Sequence, residues 1–355
     1  MQTGDIRQIA VNVNPKYSVF VGENLKDEII EFIRDKRVFV ITDSNLFSFY
    51  RDFLNELSQH LFVFEAGEES KNINTLMKIY DFLLDKSADR HSLILAFGGG
   101  VVGDIVGFAA ATYMRGAKLV QLPTSLLAMV DSSIGGKTGI NYGGYKNIVG
   151  SFYQPEAVFV DVGFLKTLPE REYLSAFAEV VKYGMIRDKK LFEFLENSVD
   201  ALKNRDLDSL QFVVERSIKN KVEIVVEDEK EKNIRALLNF GHTFAHAIES
   251  ITNYKRYLHG EAVSIGMVMA SRLAEKLGYM SRDESDRLKS LLSSLGLPVQ
   301  VDFHIKPEQV YEIMLKDKKN RDGVLRFVLT VGIGNSIITD GIARKVVEEV
   351  IGANE

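Results

Sequence analysis

Three of the six histidines, His242, His246 and His259, fall within eighteen residues. His242 and His246 are four apart, a spacing that puts both rings on one face of a helix. Leu237, Phe240, Phe244, Ala247 and Ile248 give that helix an apolar side. A polar loop over residues 253–257 then lets His259 open a second helix and return toward the first two. Imidazole nitrogens suit Zn2+, and a catalytic zinc site uses three protein ligands and one open position. The plainer alternative is two core histidines and one surface histidine. Arg235, Asn239 and Glu249 close by favour a polar site. A carboxylate competes with the third histidine for the third ligand position. Glu179 and Lys182 stand one helical turn apart in AFAEVVKYG, amid apolar neighbours. They form either an ordinary i,i+3 ion pair or the carboxylate of a His2Glu set.

Two further stretches carry chemistry. Gly98-x-Gly100-x-x-Gly103 follows an apolar strand and opens a helix, a geometry that suits a pyrophosphate at a helix N-terminus. The motif sits on a later strand than in an ordinary dinucleotide fold, where the ribose-binding acid comes downstream, and the natural candidate here is Asp43, upstream, at the end of its own strand. A tight strand–helix turn is the alternative. In PTSLLAMVDSSIGGKTGIN, Asp131, Gly135, Gly136, Lys137 and Asn141 crowd together, with Lys146 and Asn147 just beyond. No glycine stands at the spacing an ATP-binding phosphate loop needs. Phosphate or polyol binding in a loop at a strand end is the better reading.

The elements that position these groups fall in two parts. Residues 1–168 alternate short apolar strands with helices, predicting a mostly parallel sheet with helices on both faces. The stretch before Lys137 reads as strand, then helix and loop. Residues 169–355 turn to long amphipathic helices, including 207–226, and end in a small ribbon over 325–330 and 336–338. The expected fold is α/β: an N-terminal Rossmann-like parallel-sheet domain followed by a mainly helical domain that holds metal and substrate.

Composition narrows the function. The chain has 355 residues, an apolar fraction of 46%, net charge −5 and no cysteine. No basic run invites nucleic acid or an anionic membrane. No apolar run is long enough to span a bilayer, and the N-terminus lacks a signal-peptide core. A cytoplasmic protein is expected.

Read together, GGGVVGD, ATYMRG, PTSLLAMVDSSIGGKTGIN, KNIVGSFYQP, LKTLP, AEVVKYG, LLNFGHTFAHAIE and HGEAV occur in order. They resemble the 3-dehydroquinate synthase family, within the wider sugar phosphate cyclases. The resemblance implies that Glu179, His242 and His259 bind Zn2+, with Co2+ as a substitute. It places NAD against Asp43, Glu68, Lys71, Gly99, Gly100, Val101, Asp104, Thr124, Ser125, Phe164, Leu165, Lys166 and Thr167. It gives substrate contacts to Asp131, Lys137, Asn147, Lys182, Lys221, Arg235, Asn239 and His246, with Lys146 reaching both ligands. Glu231 and His246 take acid/base roles. Arg115 reaches phosphate from a partner subunit, implying a homodimer, and Lys318 closes on phosphate. The implied reaction converts 3-deoxy-D-arabino-heptulosonate 7-phosphate to 3-dehydroquinate and phosphate, with NAD reduced and reoxidised in each turnover. A sister cyclase, a metal-dependent polyol dehydrogenase and an inactive binding module are the competing readings.

Overall fold

The computed structural model describes residues 6–231, 234–316 and 325–354. The chain divides into two compact units, Met1–Leu168 with Leu210–Lys230, and Pro169–Ser209 with Glu231–Glu355.

The first unit is built on seven strands: β1 (Arg7–Val11), β2 (Tyr17–Gly22), β3 (Val38–Asp43), β4 (His60–Phe64), β5 (Leu93–Gly98), β6 (Lys118–Pro123) and, late in this part, Ala157–Asp161. Between β6 and that last strand, here β9, lie β7 (Lys137–Tyr142) and β8 (Tyr145–Phe152). The sheet order is β1-β2-β9-β6-β5-β3-β4, and only β1–β2 pair antiparallel. VFVIT, LILAFG and AVFVD are continuous apolar runs because both faces of a parallel sheet are covered. The covering helices include α1 (Lys26–Ile33), α2 (Ser44–Leu57), α3 (Ile73–Asp85) and α4 (Gly100–Thr112). Leu76, Ile79 and Leu83 of α3 join Ile105, Val106 and Ala109 of α4 over Phe39, Ile41, Ile94 and Ala96 of the sheet.

Chain order reverses at β3. It pairs with β4 on one side and β5 on the other, both parallel. The carboxyl ends of β3 and β5 therefore flank a topological switch point, where doubly wound sheets bind ligands.

One expectation here needs correction. The polar stretch ending at Asn141 does not stay a loop, and no long helix follows β6. One turn of π-helix over Ala128–Ser132 leads into an antiparallel hairpin of β7 and β8. Gly143 and Gly144, with φ of 59° and 80°, make its turn, as a two-residue hairpin connection requires. Gly139 and Gly150 face each other so closely that a Cβ on Gly150 would lie 2.0 Å from the Thr138 carbonyl oxygen.

The second unit holds α5 (Glu170–Ile186), α6 (Lys189–Asn197), α7 (Val199–Lys203), α9 (His242–Ile251), α10 (His259–Lys276), α11 (Arg282–Ser294), α12 (Pro307–Lys316) and α13 (Arg344–Gly352), with the antiparallel ribbon of β10 (Phe327–Thr330) and β11 (Ser336–Thr339). Glu170 and Glu172 in the first turn of α5 suit its dipole. Residues 175–186 of that helix are buried on every side, so it is the unit's central rod. α8 (Leu207–Glu227), expected wholly in the helical part, packs from Leu210 onward with the first unit. No helix among the described residues is long and apolar enough to cross a membrane.

Candidate active site

Three helices of the second unit bring one carboxylate and two imidazoles together. Glycines set the distance. A Cβ on Gly260, in the first turn of α10, would lie 1.9 Å from the Ser175 carbonyl oxygen of α5. One on Gly266 would lie 2.1 Å from the Gly241 carbonyl oxygen, just before α9. The three backbones thus touch, and Glu179, His242 and His259 meet with their ligand atoms within 4.8 Å of one another. Glu179 Oε1 lies 3.2 Å from His242 Nε2 and 3.5 Å from His259 Nε2. Both rings turn Nδ1 to an acceptor: Phe240 O at 3.2 Å for His242 and Glu249 Oε1 at 3.1 Å for His259. Two Nε2 atoms and a carboxylate oxygen remain facing each other. Such separations fit around one ion with bonds of about 2.0–2.2 Å, and the donor set suits Zn2+ or Co2+. His246 stands outside this group, its ring centre 5.7 Å from that of His242 and 6.5 Å from that of His259.

The charges here are strongly coupled. Burial disfavours a charge on Glu179, yet Lys182 first, then His242, hold it well below the usual carboxylate range. Burial pushes His242 down to about 4, against the pull of Glu179. Burial works the same way on His259, but hydrogen bonds to Glu179 and Glu249 outweigh it and push the ring up to about 10. With 37% of that side chain exposed, solvent screens part of this rise. Lys182 pairs with Glu179 Oε2, both side chains almost wholly buried.

Arg235 is buried in a 3-10 turn, Ile234–Asn239, where Asn239 Nδ2 donates to Ala236 O at 3.1 Å. The expectation that Leu237 and Phe240 share one helix with His242 fails here. Gly241, at φ 80°, breaks the chain's path, and α9 starts afresh at His242. Glu231 is half-buried with a left-handed φ of 54°. Lys318 lies outside the described residues.

The first unit assembles a second group. Asp43 ends β3 and caps α2, its Oδ1 accepting from Leu46 N at 3.0 Å. Burial raises its carboxyl. At the end of neighbouring β5, a Cβ on Gly98 would strike Val102 at 2.4 Å, so that glycine serves packing. A Cβ on Gly99 or Gly100 would crowd the side chain of Ser125 or Ser132, whose hydroxyls would lie at 3.3 Å. Val101 follows in the first turn of α4, and Thr124 N donates to Gly98 O at 3.1 Å. Phe164 packs edge-on to Tyr50 and Phe97, while Thr167 Oγ1 and Tyr50 share a hydrogen bond of 2.8 Å. Leu165 is buried beside them, and Lys166 points to Glu23 at 3.2 Å.

Buried Lys71 joins the glycine helix to the hairpin, donating to Asp104 Oδ2 and to Asn147 Oδ1, each at 2.5 Å. Burial raises Asp104 despite that lysine. Asn141 completes the mesh: Oδ1 accepts from Asn147 N at 2.9 Å, and Nδ2 donates to Glu68 Oε1 at 2.8 Å. Lys221, on the part of α8 that belongs here, donates to Asp131 Oδ1 at 2.7 Å. Lys137 and Lys146 are exposed on the hairpin, and Arg115 is exposed at φ 65°. The sequence counts Glu249 toward a polar site but does not single it out as the partner of His259. Its signal was the seven-residue step from His242, which returns to the same helix face.

An α/β sheet unit with a helical unit is also the fold of solved sugar phosphate cyclases. A 2-epi-5-epi-valiolone synthase from Streptomyces hygroscopicus subsp. jinggangensis, with NAD+ and Zn2+ bound, superposes with a TM-score of 0.87 at 28% identity, covering 99% of this chain and 98% of that one. A 2-deoxy-scyllo-inosose synthase complexed with carbaglucose-6-phosphate, NAD+ and Co2+ gives 0.88 at 26% identity, over 99% of this chain and 100% of that one. Family models for the N-terminal and C-terminal parts of 3-dehydroquinate synthase match residues 61–175 and 176–320. The 3-dehydroquinate synthase of Dictyoglomus turgidum is 44% identical over 338 residues, 95% of each chain. The chain belongs to the 3-dehydroquinate synthase family and is an enzyme of that family.

Proposed function

We propose that the chain converts 3-deoxy-D-arabino-heptulosonate 7-phosphate to 3-dehydroquinate and phosphate, as a carbon–oxygen lyase using NAD and Zn2+, with Co2+ as a substitute. The observation that carries this is the Glu179–His242–His259 group, gathered around a buried carboxylate, in a chain so close to named 3-dehydroquinate synthases. When bound, NAD takes up and returns a hydride, and the metal acidifies a substrate hydroxyl as a Lewis acid.

The chain's own residues bind, orient and move protons. Glu179, His242 and His259 hold the metal. Arg235, a buried planar fork, meets the substrate carboxylate. Lys182 and Asn239 orient hydroxyls beside it, and His246 and Glu231 carry protons. In the sheet unit, Asp43 takes the adenosine ribose through the carboxylate oxygen its cap leaves over. Gly99, Gly100 and Val101 admit the pyrophosphate at the start of α4, where the helix dipole favours it. Glu68, Lys71, Asp104, Thr124 and Ser125 line the same pocket, with Phe164, Leu165, Lys166 and Thr167 at its edge. Lys137, Lys146, Asn147 and Lys221 present charge and amide groups to the sugar phosphate, beside Asp131. Lys318 closes on phosphate. Positioning and electrostatics then supply most of the catalysis.

The working unit is a homodimer in the cytoplasm. On the hairpin Tyr142, Tyr145, Ile148, Val149 and Phe152 are exposed, apolar surface of the kind an interface covers. Arg115 reaches the phosphate from the second copy.

Incubation with the heptulosonate phosphate, catalytic NAD+ and Zn2+ tests this. Phosphate release should proceed without NADH accumulating. NADH growing in step with product instead identifies a polyol dehydrogenase, and faster turnover of a neutral sugar phosphate identifies a sister cyclase.

A further inference from the structure

We propose that Glu249 is the positioning carboxylate of the metal centre, setting how the His259 ring presents Nε2 to the ion. This rests on reading Glu179, His242 and His259 as the ligands. Glu249 stands on α9 seven residues after His242, two turns on and on the same face. One helix therefore carries one ligand and the group that holds another. Its side chain is 7% exposed, and Oε1 lies 3.1 Å from His259 Nδ1. A carboxylate accepting from Nδ1–H leaves Nε2 bare, fixes the ring's rotation and raises its basicity toward a metal. The corresponding partner of His242 is a backbone carbonyl, Phe240 O. No substitution can alter that atom, so Glu249 is the side chain through which ligand strength is set.

The backbone under His259 is held separately. Glu261 Oε2 accepts from Leu258 N at 2.7 Å, capping α10. Arg171 grips both oxygens of Glu261, at 2.8 Å each. A second fork, Arg256 on Asp302, holds the preceding loop at 2.8 Å on each arm. Loss of Glu249 therefore frees the ring without freeing the helix start, and this separation makes the role testable.

The parent chain and its Glu249→Ala and Glu249→Gln variants are stripped of metal and titrated with Co2+ while the visible ligand-field band is recorded. Zn2+ competition and NAD+ affinity are measured on the same samples. Glu249→Ala should weaken metal binding by about 10- to 100-fold and shift the band. Glu249→Gln keeps an acceptor but not the charge, and should fall about tenfold. NAD+ affinity should not move. Should the alanine variant fail to fold, the near-isosteric glutamine variant carries the test. A folded variant that matches the parent in Co2+ affinity and spectrum overturns the role of Glu249 alone. A parent that takes up no divalent metal overturns the ligand assignment itself.

Discussion

Replacing Glu179 with alanine in the metal-free protein should destabilise it far more than loss of an ordinary ion pair. The partner, Lys182, has a side chain only 2% exposed, and Glu179 only 1%. A solvent-exposed pair is worth about 0–1 kcal/mol. Removing one member of a buried pair leaves a charge in low dielectric without its counterion, at a cost of about 3–5 kcal/mol. For a cooperative unit of about 150–250 residues, each kcal/mol moves Tm by roughly 2–4 °C, so the loss should be about 6–20 °C. The double variant Glu179→Ala/Lys182→Met removes both charges and should recover most of that loss, because apolar replacements of buried pairs are often neutral. Thermal and urea melts at neutral pH, after chelation, provide the readout. A single variant that loses under about 1 kcal/mol would show that the pair is effectively solvated. A double variant no more stable than the single one would show that Lys182 is not the group left stranded.

Arg235→Ala should lower kcat/KM by about 10- to 150-fold, the equivalent of about 1.5–3 kcal/mol for a charge-assisted contact, and leave NAD+ affinity alone. Asp43→Ala should weaken NAD+ binding and also cost about 0.5–2 kcal/mol of stability through the lost cap on α2. Asp43→Asn keeps a capping oxygen, so it should show the NAD+ defect with little loss in Tm; unchanged NAD+ affinity would assign the ribose to another group. The metal-free chain should also show a stability profile set by its histidines. His259, up at about 10 when folded, binds its proton more tightly than in the unfolded chain. Its contribution is complete below about pH 6.5 and fades as pH rises toward its folded value. His242, down at about 4, acts oppositely and is lost as pH falls below about 6.5. Melts across this range should peak near neutrality, and Zn2+ should flatten the alkaline limb by taking the proton's place.

The sheet unit was legible because its strands are apolar runs. SLILAF and RVFVIT announce buried parallel strands without any knowledge of partners. The hairpin was not, since residues 142–150 are exposed and carry no apolar alternation against a core. Its one signal is the Gly143-Gly144 pair, a two-glycine turn. The His242–His246 spacing marks the region of the Glu179–His242–His259 group, but His246 lies beside that group, its ring centre 6.5 Å from that of His259, and is not part of it. Arg235 and His242 looked continuous because helical periodicity ignores Gly241, whose left-handed φ of 80° ends one segment and starts the next. Packing decided the fate of α8, and α13 escaped notice because Val347, Val350 and Ile351 give only a short apolar stripe.

The contacts at Gly260 and Gly266 have a bearing on how the enzyme acquires its ion. α5, α9 and α10 are locked backbone to backbone, and the ligand triangle is drawn by that contact rather than by coordination bonds. In a zinc finger the ion is the nucleus of the fold, and apo protein is unfolded. Here the socket precedes its occupant. On that geometry the metal-free chain should fold, and should take up, lose and regain an ion without melting. Which divalent ion fills it would then be set by supply and exchange rate rather than by folding.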